Sequence, residues 1–345
     1  MMEVLLGPWP ITVSVVVFVV GAMATVTGVI RMASLGDTLA DRTGWGEALF
    51  GAVFFGAASS LSGIVITAVA AAGDNAALAY SNAVGGIAAQ TLAVAVADLF
   101  YRRGNLEHAA ASLSNILFGC LLLALLTLIV LAAYLPPVTV WAIHPMSVVL
   151  VAVYVGGLWL IQRNGARPMW EAVRTRATLV DEPAGDDGVR SSTRVVWAQF
   201  VVIGVGVSTG GAALALASEG IINATGLTAG FVGAILLGVV NALPETVTAI
   251  TAVRRGALTL AIGAILGGNS FDALNVAIGD TFYRSGSLYH QAGPDELFLT
   301  LASALMTVIV VAGLLVRQTR GPGRVGFEGI ALIITYVAIV GVLSV

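Results

Sequence analysis

The sequence has no lysine and very little charge of either sign. All of its basic residues are arginines, and charged residues make up only 10% of the 345 residues. A soluble protein of this size carries about 25% charged residues. With 58% hydrophobic residues and a mean hydropathy of +0.97, the chain has too few polar residues to cover a surface in water. This composition excludes a water-soluble globular protein.

Cysteine is also scarce, since Cys120 is the single cysteine and lies within an apolar run. One cysteine excludes an internal disulfide framework, and we expect it to be a small residue of the core. The N-terminal segment carries Glu3 where a cleaved signal peptide has basic residues. The first apolar run is therefore expected to remain as a membrane span.

Residue patterns typical of enzymes are missing as well. The sequence contains no Gly-rich phosphate loop, no zinc-type histidine cluster among its three histidines, and no nucleophile motif at usable spacing. We therefore expect no enzymatic activity and no cofactor. The apolar composition also excludes nucleic acid as a partner.

Long apolar windows of about 20 residues recur along the whole chain and predict membrane-spanning helices. They define an all-α polytopic membrane protein, in which residues 1–162 and 195–345 form two five-helix halves. The polar segment 163–194 predicts a loop that joins them. The ten predicted spans are 11–35, 46–71, 77–101, 109–134, 143–162, 195–219, 228–253, 258–283, 296–316 and 326–344.

The arginines predict how these spans are oriented. With ten spans, every arginine except Arg284 falls on the side of the 163–194 loop. Because basic residues mark the cytoplasmic side, we expect a cytoplasmic loop and both termini outside. The expected location is the plasma (inner) membrane of a bacterium or archaeon, with the lipid bilayer as partner.

The two halves are related by an internal repeat. A shift of 182 residues aligns 59–108 with 241–290 at 17 of 50 positions, and the best stretch pairs DLFYRRGNLEH with DTFYRSGSLYH. Because five helices per half is an odd number, the second copy is expected to cross the membrane upside down. Inverted repeats with a site at their midplane interface are typical of transporters.

Two acidic residues lie near the middle of predicted spans, Glu245 and Asp272. An ionised carboxylate at the bilayer centre costs about 2.5–3.5 kcal/mol on insertion scales, so such residues usually have a function. Carboxylate oxygens suit Na⁺ or Ca²⁺; the alternative is two structurally satisfied polar residues. Pro244 is expected to break its helix. The pairs Gly85–Gly86 and Gly267–Gly268 are expected to loosen their helices and to allow backbones to approach closely. Such interruptions free backbone carbonyls that can serve as cation ligands.

The runs NALPETVTAITAVRRG and AIGAILGGNSFDAL resemble the signature repeat of the cation/calcium exchanger superfamily, the sodium/calcium exchangers and their relatives. This resemblance implies ten helices in two inverted halves, with signature repeats on the second and third helices of each half. It also implies that Glu245 is the essential glutamate and Asp272 its partner on the next helix. Asn241 then lies where the family often has a hydroxyl ligand.

The first half departs from the family pattern. Gly63 lies at the position of its glutamate, and Gln90 at the position of Asp272. Neutral oxygens remain available there, and the residues that carry them are Ser59, Ser60, Ser62 and Gln90. Two carboxylates neutralise one Ca²⁺, but they also suit one Na⁺ with one H⁺, or a proton alone.

A last set of residues recurs at the ends of the third helices, namely Asp98 with Asp280, Tyr101 with Tyr283, Arg102 with Arg284 and His108 with His290. An Asp and an Arg four residues apart can pair on one helical face. We interpret the set as a helix-end clamp, with a proton relay or an ion-entry role as alternatives.

These observations predict a secondary antiporter that exchanges Ca²⁺ or a similar cation against Na⁺ or H⁺ by alternating access. A second hypothesis is a monovalent cation/proton antiporter that has lost calcium transport. A third is a cation channel or a non-transporting membrane sensor on the same scaffold.

Overall fold

The structure of this chain, a computed structural model, describes residues 9–43, 59–101, 104–165, 170–173, 192–319, 321 and 326–345. The predicted start of the second span, residues 46–58, and most of the 163–194 loop lie outside the described residues. The described residues are helical and contain no strand. In chain order the helices are α1 Ile11–Thr43, α2 Leu61–Ala72, α3 Ala76–Asp98, α4 Leu106–Ala109, α5 Leu113–Ala132, α6 Pro145–Gly165, α7 Thr193–Thr225, α8 Ala229–Phe231, a π-helix Val232–Leu237, α9 Gly238–Arg255, α10 Leu258–Asp272, α11 Leu274–Phe282, a 3₁₀ turn Leu288–Gln291, α12 Pro294–Val316 and α13 Phe327–Leu343.

Within the described part of the chain, seven helical stretches are long and apolar enough to cross a membrane. The chain is therefore a multi-pass membrane protein. The seven stretches are Ile11–Gly36, Leu113–Ala132, Pro145–Asn164, Thr193–Thr225, Ala229–Arg255, Leu258–Phe282 and Pro294–Val316. Helices α1 and α7 extend beyond the predicted spans 11–35 and 195–219 by one to two turns. Apolar windows miss these ends because the added turns contain polar residues.

Helices α1 and α7 pack along each other at one side of the molecule. Their outward faces carry valines that are largely exposed, such as Val16 at 56% and Val202 at 70%. Exposed β-branched residues of this kind on a membrane helix face lipid.

Cys120 on α5 is exposed too, so its predicted place in the core is wrong. In a bilayer an exposed small apolar side chain carries no penalty, which is why burial could not be inferred from its apolar surroundings.

Helix α3 lies at the centre of the fold. Nearly all of its side chains are buried, and it contacts α2, α9, α10, α12 and α13. Gly85 permits a further close contact with the π-helix, because a Cβ at this position would collide with the backbone of Ala234. The prediction that paired glycines allow close backbone approach is confirmed at Gly85. It is wrong at Gly268, where a Cβ would meet nothing within 4 Å.

The helices next to the centre are irregular, although not at the predicted residues. Helix α9 continues through Pro244, and the widened π-helical turns lie just before it at Val232–Leu237. Helix α10 ends at Asp272, and α11 starts two residues later at Leu274. The expected break at Pro244 is therefore wrong, because a membrane helix tolerates the loss of the one backbone hydrogen bond that a proline removes. Ala273, between α10 and α11, keeps helical backbone angles and donates to the Asn269 carbonyl at 3.0 Å, so the two helices run on as one stretch.

The ends of α3 and α11 are held by matching contacts. Asp98 accepts a hydrogen bond from the Leu106 amide at 2.6 Å, and Asp280 accepts one from the Leu288 amide at 2.9 Å. Asp98 and Asp280 are equivalent positions at the shift of 182 residues, and so are Leu106 and Leu288. The clamp predicted at the helix ends is thus made by carboxylates that bind backbone amides.

A second matching pair involves histidines. His108 Nδ1 lies 2.6 Å from the Arg317 carbonyl, and His290 Nε2 lies 2.7 Å from the Leu135 carbonyl. The expected pairing of Asp280 with Arg284 is wrong, because α11 ends at Phe282 and Arg284 donates to the Trp141 carbonyl. Arg102 lies outside the described residues.

Candidate functional site

Asp272 lies at the centre of the molecule, at the last residue of α10. Gln90 on α3 donates from Nε2 to Asp272 Oδ2 at 2.9 Å, and Asn275 on α11 donates from Nδ2 to Oδ1 at 3.3 Å. All three residues are buried. Gln90 and Asp272 are also equivalent positions of the two halves, so the repeat brings its own third helices into direct contact here. The carboxylate is fixed by amide donors from both halves.

A second network of amides lies close to this carboxylate, between α2, α3 and α9. Asn82 on α3 donates from Nδ2 to the Gly63 carbonyl at 3.1 Å and to Thr67 Oγ1 at 2.8 Å. Asn241 on α9 donates to Asn82 Oδ1 at 3.0 Å, and Ser62 donates to Asn241 Oδ1 at 3.4 Å. The network therefore joins α2, α3 and α9 through neutral oxygens.

A small polar cavity lies between these side chains. Its enclosed space of about 10 Å³ holds one particle the size of a water molecule or a dehydrated cation. Most of its lining presents amide, hydroxyl or carboxylate groups, and Ala83 and Gly86 complete it. The lining residues are Ser59, Ser60, Gly63, Asn82, Ala83, Gly86, Gln90, Asn241, Asp272 and Asn275.

Glu245 lies on α9, one turn beyond Asn241. It is 8% exposed, and its Oε2 has no hydrogen-bond partner in the described part of the chain. Ser59 lies against its carboxyl group, and Asp272 is near enough for the two carboxylates to repel each other. An unpartnered carboxylate oxygen in an apolar interior is costly. The arrangement calls for a cation or a proton to neutralise it.

The predicted site residues are brought to one region of the fold. Ser59, Ser60, Gln90, Asn241 and Asp272 line the cavity. Glu245 and Ser62 are not part of the lining, but they contact it through Ser59 and Asn241 respectively. The Ser60 hydroxyl lies near Asp272 without a close hydrogen-bond partner of its own.

Sequence reasoning missed two residues of the cavity, Asn82 and Asn275. Asn275 comes three residues after Asp272 and therefore follows it by one helical turn. Asn82 comes eight residues before Gln90, which places both on one face of α3. An asparagine inside an apolar span was the available signal. The repeat could not point to either residue, since the equivalent positions in the other half are the alanines Ala264 and Ala93.

Gly63 faces this network from α2. A Cβ at this position would lie 3.5 Å from Asn241 Nδ2 and 3.6 Å from Asn275 Nδ2, which are ordinary contacts. The space beyond is therefore occupied by the two asparagine amides. In this structure, neutral amides stand where the side chain of a glutamate at position 63 would extend.

The chemistry of the site is that of a hard-cation site. Carboxylate, amide and hydroxyl oxygens are the ligands preferred by Na⁺ and Ca²⁺. No group of histidine, cysteine and acidic side chains typical of a resident transition metal occurs among the described residues.

Comparison with known proteins adds the family. The sequence profile of the family described as sodium/calcium exchanger protein matches residues 13–162 and 195–345, which together make up most of the chain. The chain belongs to this family. Membership agrees with the resemblance of the sequences around Glu245 and Asp272, and the family is one of transporters. Among curated protein sequences, none matches this chain significantly.

Solved structures of exchangers have a similar fold. The H⁺/Ca²⁺ exchanger CAX has a TM-score of 0.66 at 15% identity, over 97% of this chain and 85% of that chain. Native YfkE has a TM-score of 0.64 at 16% identity, over 99% and 95%. The sodium-calcium exchanger NCX_Mj has a TM-score of 0.59 at 17% identity, over 96% and 99%. At 15–17% identity, these similarities show that this member of the sodium/calcium exchanger family shares its fold with the three exchangers.

Proposed function

We propose that this chain is a secondary active antiporter that moves Ca²⁺ or a similar cation against Na⁺ or H⁺ by alternating access. The observation that carries the proposal is the central cavity, where Asp272 is held by Gln90 and Asn275, and Oε2 of the neighbouring Glu245 has no hydrogen-bond partner among the described residues. A fixed carboxylate in a cavity of one-cation size, with a second carboxylate beside it, suits binding of a dehydrated cation. The transported cation is the substrate, and no cofactor is part of the proposal.

We assign Glu245 and Asp272 as the charged ligands. Gln90, Asn241, Ser59, Ser60 and Ser62 supply or position neutral oxygens around them, and Asn82 and Asn275 are added by the structure. The side-chain oxygens of the cavity, together with those of Glu245, are of the kind that Ca²⁺ takes, at about 6–8 ligands per ion.

The proposed architecture is ten spans in two inverted halves, residues 1–162 and 195–345, joined by the 163–194 loop. Its support is the pairing of equivalent contacts at a shift of 182, at Asp98 with Leu106 and at Asp280 with Leu288. We further propose that the arginine-rich side, with the loop, is cytoplasmic, and that both termini lie outside the plasma (inner) membrane. The lipid bilayer and inorganic cations are the partners.

A monovalent cation/proton antiporter is the second candidate function, and one observation favours it. Asp272 is the one carboxylate among the described lining residues of the cavity, since the first half contributes Gln90 and Gly63 at the acidic positions of the family. With fewer negative charges, a site holds Na⁺ and a proton more readily than two charges of Ca²⁺. The two candidate functions therefore differ in how much positive charge the cavity must bind.

Ion flux in proteoliposomes separates the candidates. The purified full chain is reconstituted, and Ca²⁺ uptake is measured with an outward Na⁺ gradient, with an outward H⁺ gradient, and with neither. Uptake that needs one of the gradients supports Ca²⁺ antiport and identifies the counter-ion. A pH change driven by Na⁺ or K⁺ without any Ca²⁺ movement supports the monovalent candidate. Conductance without coupling to any gradient, as a channel gives, would overturn both.

A further inference from the structure

A second group of buried carboxyls lies away from the central cavity, where α3 ends. Asp98 closes α3, Glu107 lies on the short helix α4, and Glu328 lies in the first turn of α13. The exposed fractions of the three side chains are 1%, 1% and 0%. None of them takes part in the cation site proposed above. Three acidic side chains thus converge in the interior at the junction of α3, α4 and α13.

The protein satisfies this group incompletely. Asp98 Oδ1 accepts from the Leu106 amide, and Asn105 Nδ2 donates to Glu328 Oε1. By contrast, Asp98 Oδ2, both oxygens of Glu107 and Glu328 Oε2 have no hydrogen-bond partner in the described part of the chain. The Glu107 carboxyl lies close enough to Asp98 and Glu328 to be repelled by both. Four buried oxygens of this group therefore lack a hydrogen-bond donor among the described residues.

Among the described residues, the basic side chains nearby are engaged with other groups. Arg317, at the end of α12, donates from Nε and Nη2 to the His108 carbonyl and from Nη1 to the Val173 carbonyl. His108 directs its Nδ1 to the Arg317 carbonyl. No described cation neutralises the three carboxyls. An unpaired buried carboxylate costs several kcal/mol and is neutralised by protonation instead. With no counter-charge among the described residues, we assign the neutralising role to a proton.

The corresponding place in the second half is built without this excess of acid. There, Asp280 Oδ2 accepts from the His144 amide at 2.7 Å and from Ser147 Oγ at 2.8 Å. Tyr289 and Met146 occupy the repeat positions of Glu107 and Glu328. The same clamp therefore holds with a single acid there. The two additional acids at the α3 end are not needed to build it.

We propose that Asp98, Glu107 and Glu328 form a proton-binding site, separate from the cation cavity, that holds a shared proton and fastens α4 and α13 to the end of α3. A protonated carboxyl supplies the missing O–H donor between Glu107 and Glu328. Loss of the proton leaves adjacent charges in a buried junction, which loosens the contact of α13 with α3. Protonation at this junction thereby controls how firmly these helices are held together.

The surroundings of Glu107 agree with this assignment. Burial, together with the charges of Asp98 and Glu328, raises the pKa of the Glu107 carboxyl well above its usual range. A folded-state pKa above the unfolded value stabilises the protein at low pH. That contribution is lost as pH rises from the ordinary glutamate value of about 4.3 through the raised pKa.

The test compares the full chain with Glu107→Gln in detergent, by infrared titration and by thermal unfolding. We expect the parent protein to show a protonated-carboxyl band near neutral pH that the variant lacks. The central carboxyls Glu245 and Asp272 contribute equally to both spectra, so their bands cancel in the difference spectrum. Between about pH 6 and about pH 9, the melting temperature of the parent should fall more steeply than that of Glu107→Gln. Glu171→Gln, which removes an exposed carboxyl, should behave as the parent.

Glu328→Gln serves as the second variant if Glu107→Gln does not fold, and it should give the same two changes. An unchanged carboxyl band together with parallel melting curves in the variants would overturn the proposal. It would also be overturned if Ca²⁺, in place of protons, stabilised the parent through these residues and failed to stabilise Glu107→Gln.

Discussion

The two halves of the molecule share their framework but differ in where they carry acid. At the cavity, the second half supplies Glu245 and Asp272, whereas the first supplies Gly63 and Gln90 at the equivalent positions. At the helix ends the order is reversed, because the first half has Glu107 where the second has Tyr289. Yet both ends make the same carboxylate-to-amide contact, at 2.6 Å in one half and 2.9 Å in the other.

This difference teaches that the fold does not need its acidic residues to be symmetric. The carboxylate-to-amide contacts of Asp98 and Asp280 recur in both halves. The other acids proposed to bind cations or protons have neutral residues at their equivalent positions in the other half. We therefore attribute the acidity at the cavity to the proposed transport, in which its placement sets the charge that a transported cation must neutralise. The predictions below change that placement or, at Gly63, the space at the position of the missing acid.

The largest effect is expected from Asp272→Asn. The substitution removes the cavity's charged ligand while the hydrogen bonds to Gln90 and Asn275 remain possible after an amide flip. Loss of groups that merely orient a ligand costs about 10–100-fold in metal affinity, so loss of the ligand itself should reduce cation flux by more than about 100-fold. Flux in proteoliposomes checks this, with the exposed Asp295→Asn as the control. Flux within a few-fold of the parent would contradict the role of Asp272.

A smaller effect is expected when the asymmetry is removed by Gln90→Glu. A carboxylate at position 90 would face Asp272, whose Oδ2 now accepts a hydrogen bond at 2.9 Å. Two adjacent carboxylates favour a divalent cation, so Ca²⁺ should bind at least about tenfold more tightly, a gain of about 1.4 kcal/mol. Stabilisation against heat by Ca²⁺ and by Na⁺ measures the change. An equal gain for Na⁺ would show that charge at this position does not select for valence.

The smallest effect is expected from Gly63→Ala. The added Cβ would make ordinary contacts with Asn241 and Asn275. Replacing glycine within a helix contributes about 0.5–1 kcal/mol of stability, so we expect a melting temperature equal to or slightly above that of the parent and flux within about threefold. A large loss of flux with an unchanged melting temperature would mean that the cavity needs the open space at residue 63.

Much of the fold and part of the site could be predicted from the sequence. Apolar windows located the helices because a span must be apolar over about 20 residues. Glu245 and Asp272 could be found because acid is rare within spans, and the shift of 182 residues pointed to Gln90. The resemblance to the exchanger signature placed Asn241 and the serines.

The remaining features depend on tertiary contacts. Asn82 and Asn275 are ordinary polar residues in sequence, and only the crossing of α3 with α9 and α11 brings them to the cavity. The irregular turns fall at Val232–Leu237 and not at Pro244, and no residue pattern in the sequence marked that π-helix. Glu107 and Glu328 are far apart in the chain, so their meeting at the end of α3 follows from the fold alone.

Flux through the Glu245→Gln variant tests the central claim most directly. The variant keeps the size of the side chain and removes the charge of the carboxylate whose Oε2 has no partner among the described residues. Purified parent, Glu245→Gln and the surface control Glu171→Gln are reconstituted side by side, and flux is driven by whichever cation gradient moves ions through the parent. We predict that transport is lost in Glu245→Gln and kept in the control. Full transport by Glu245→Gln would contradict the account.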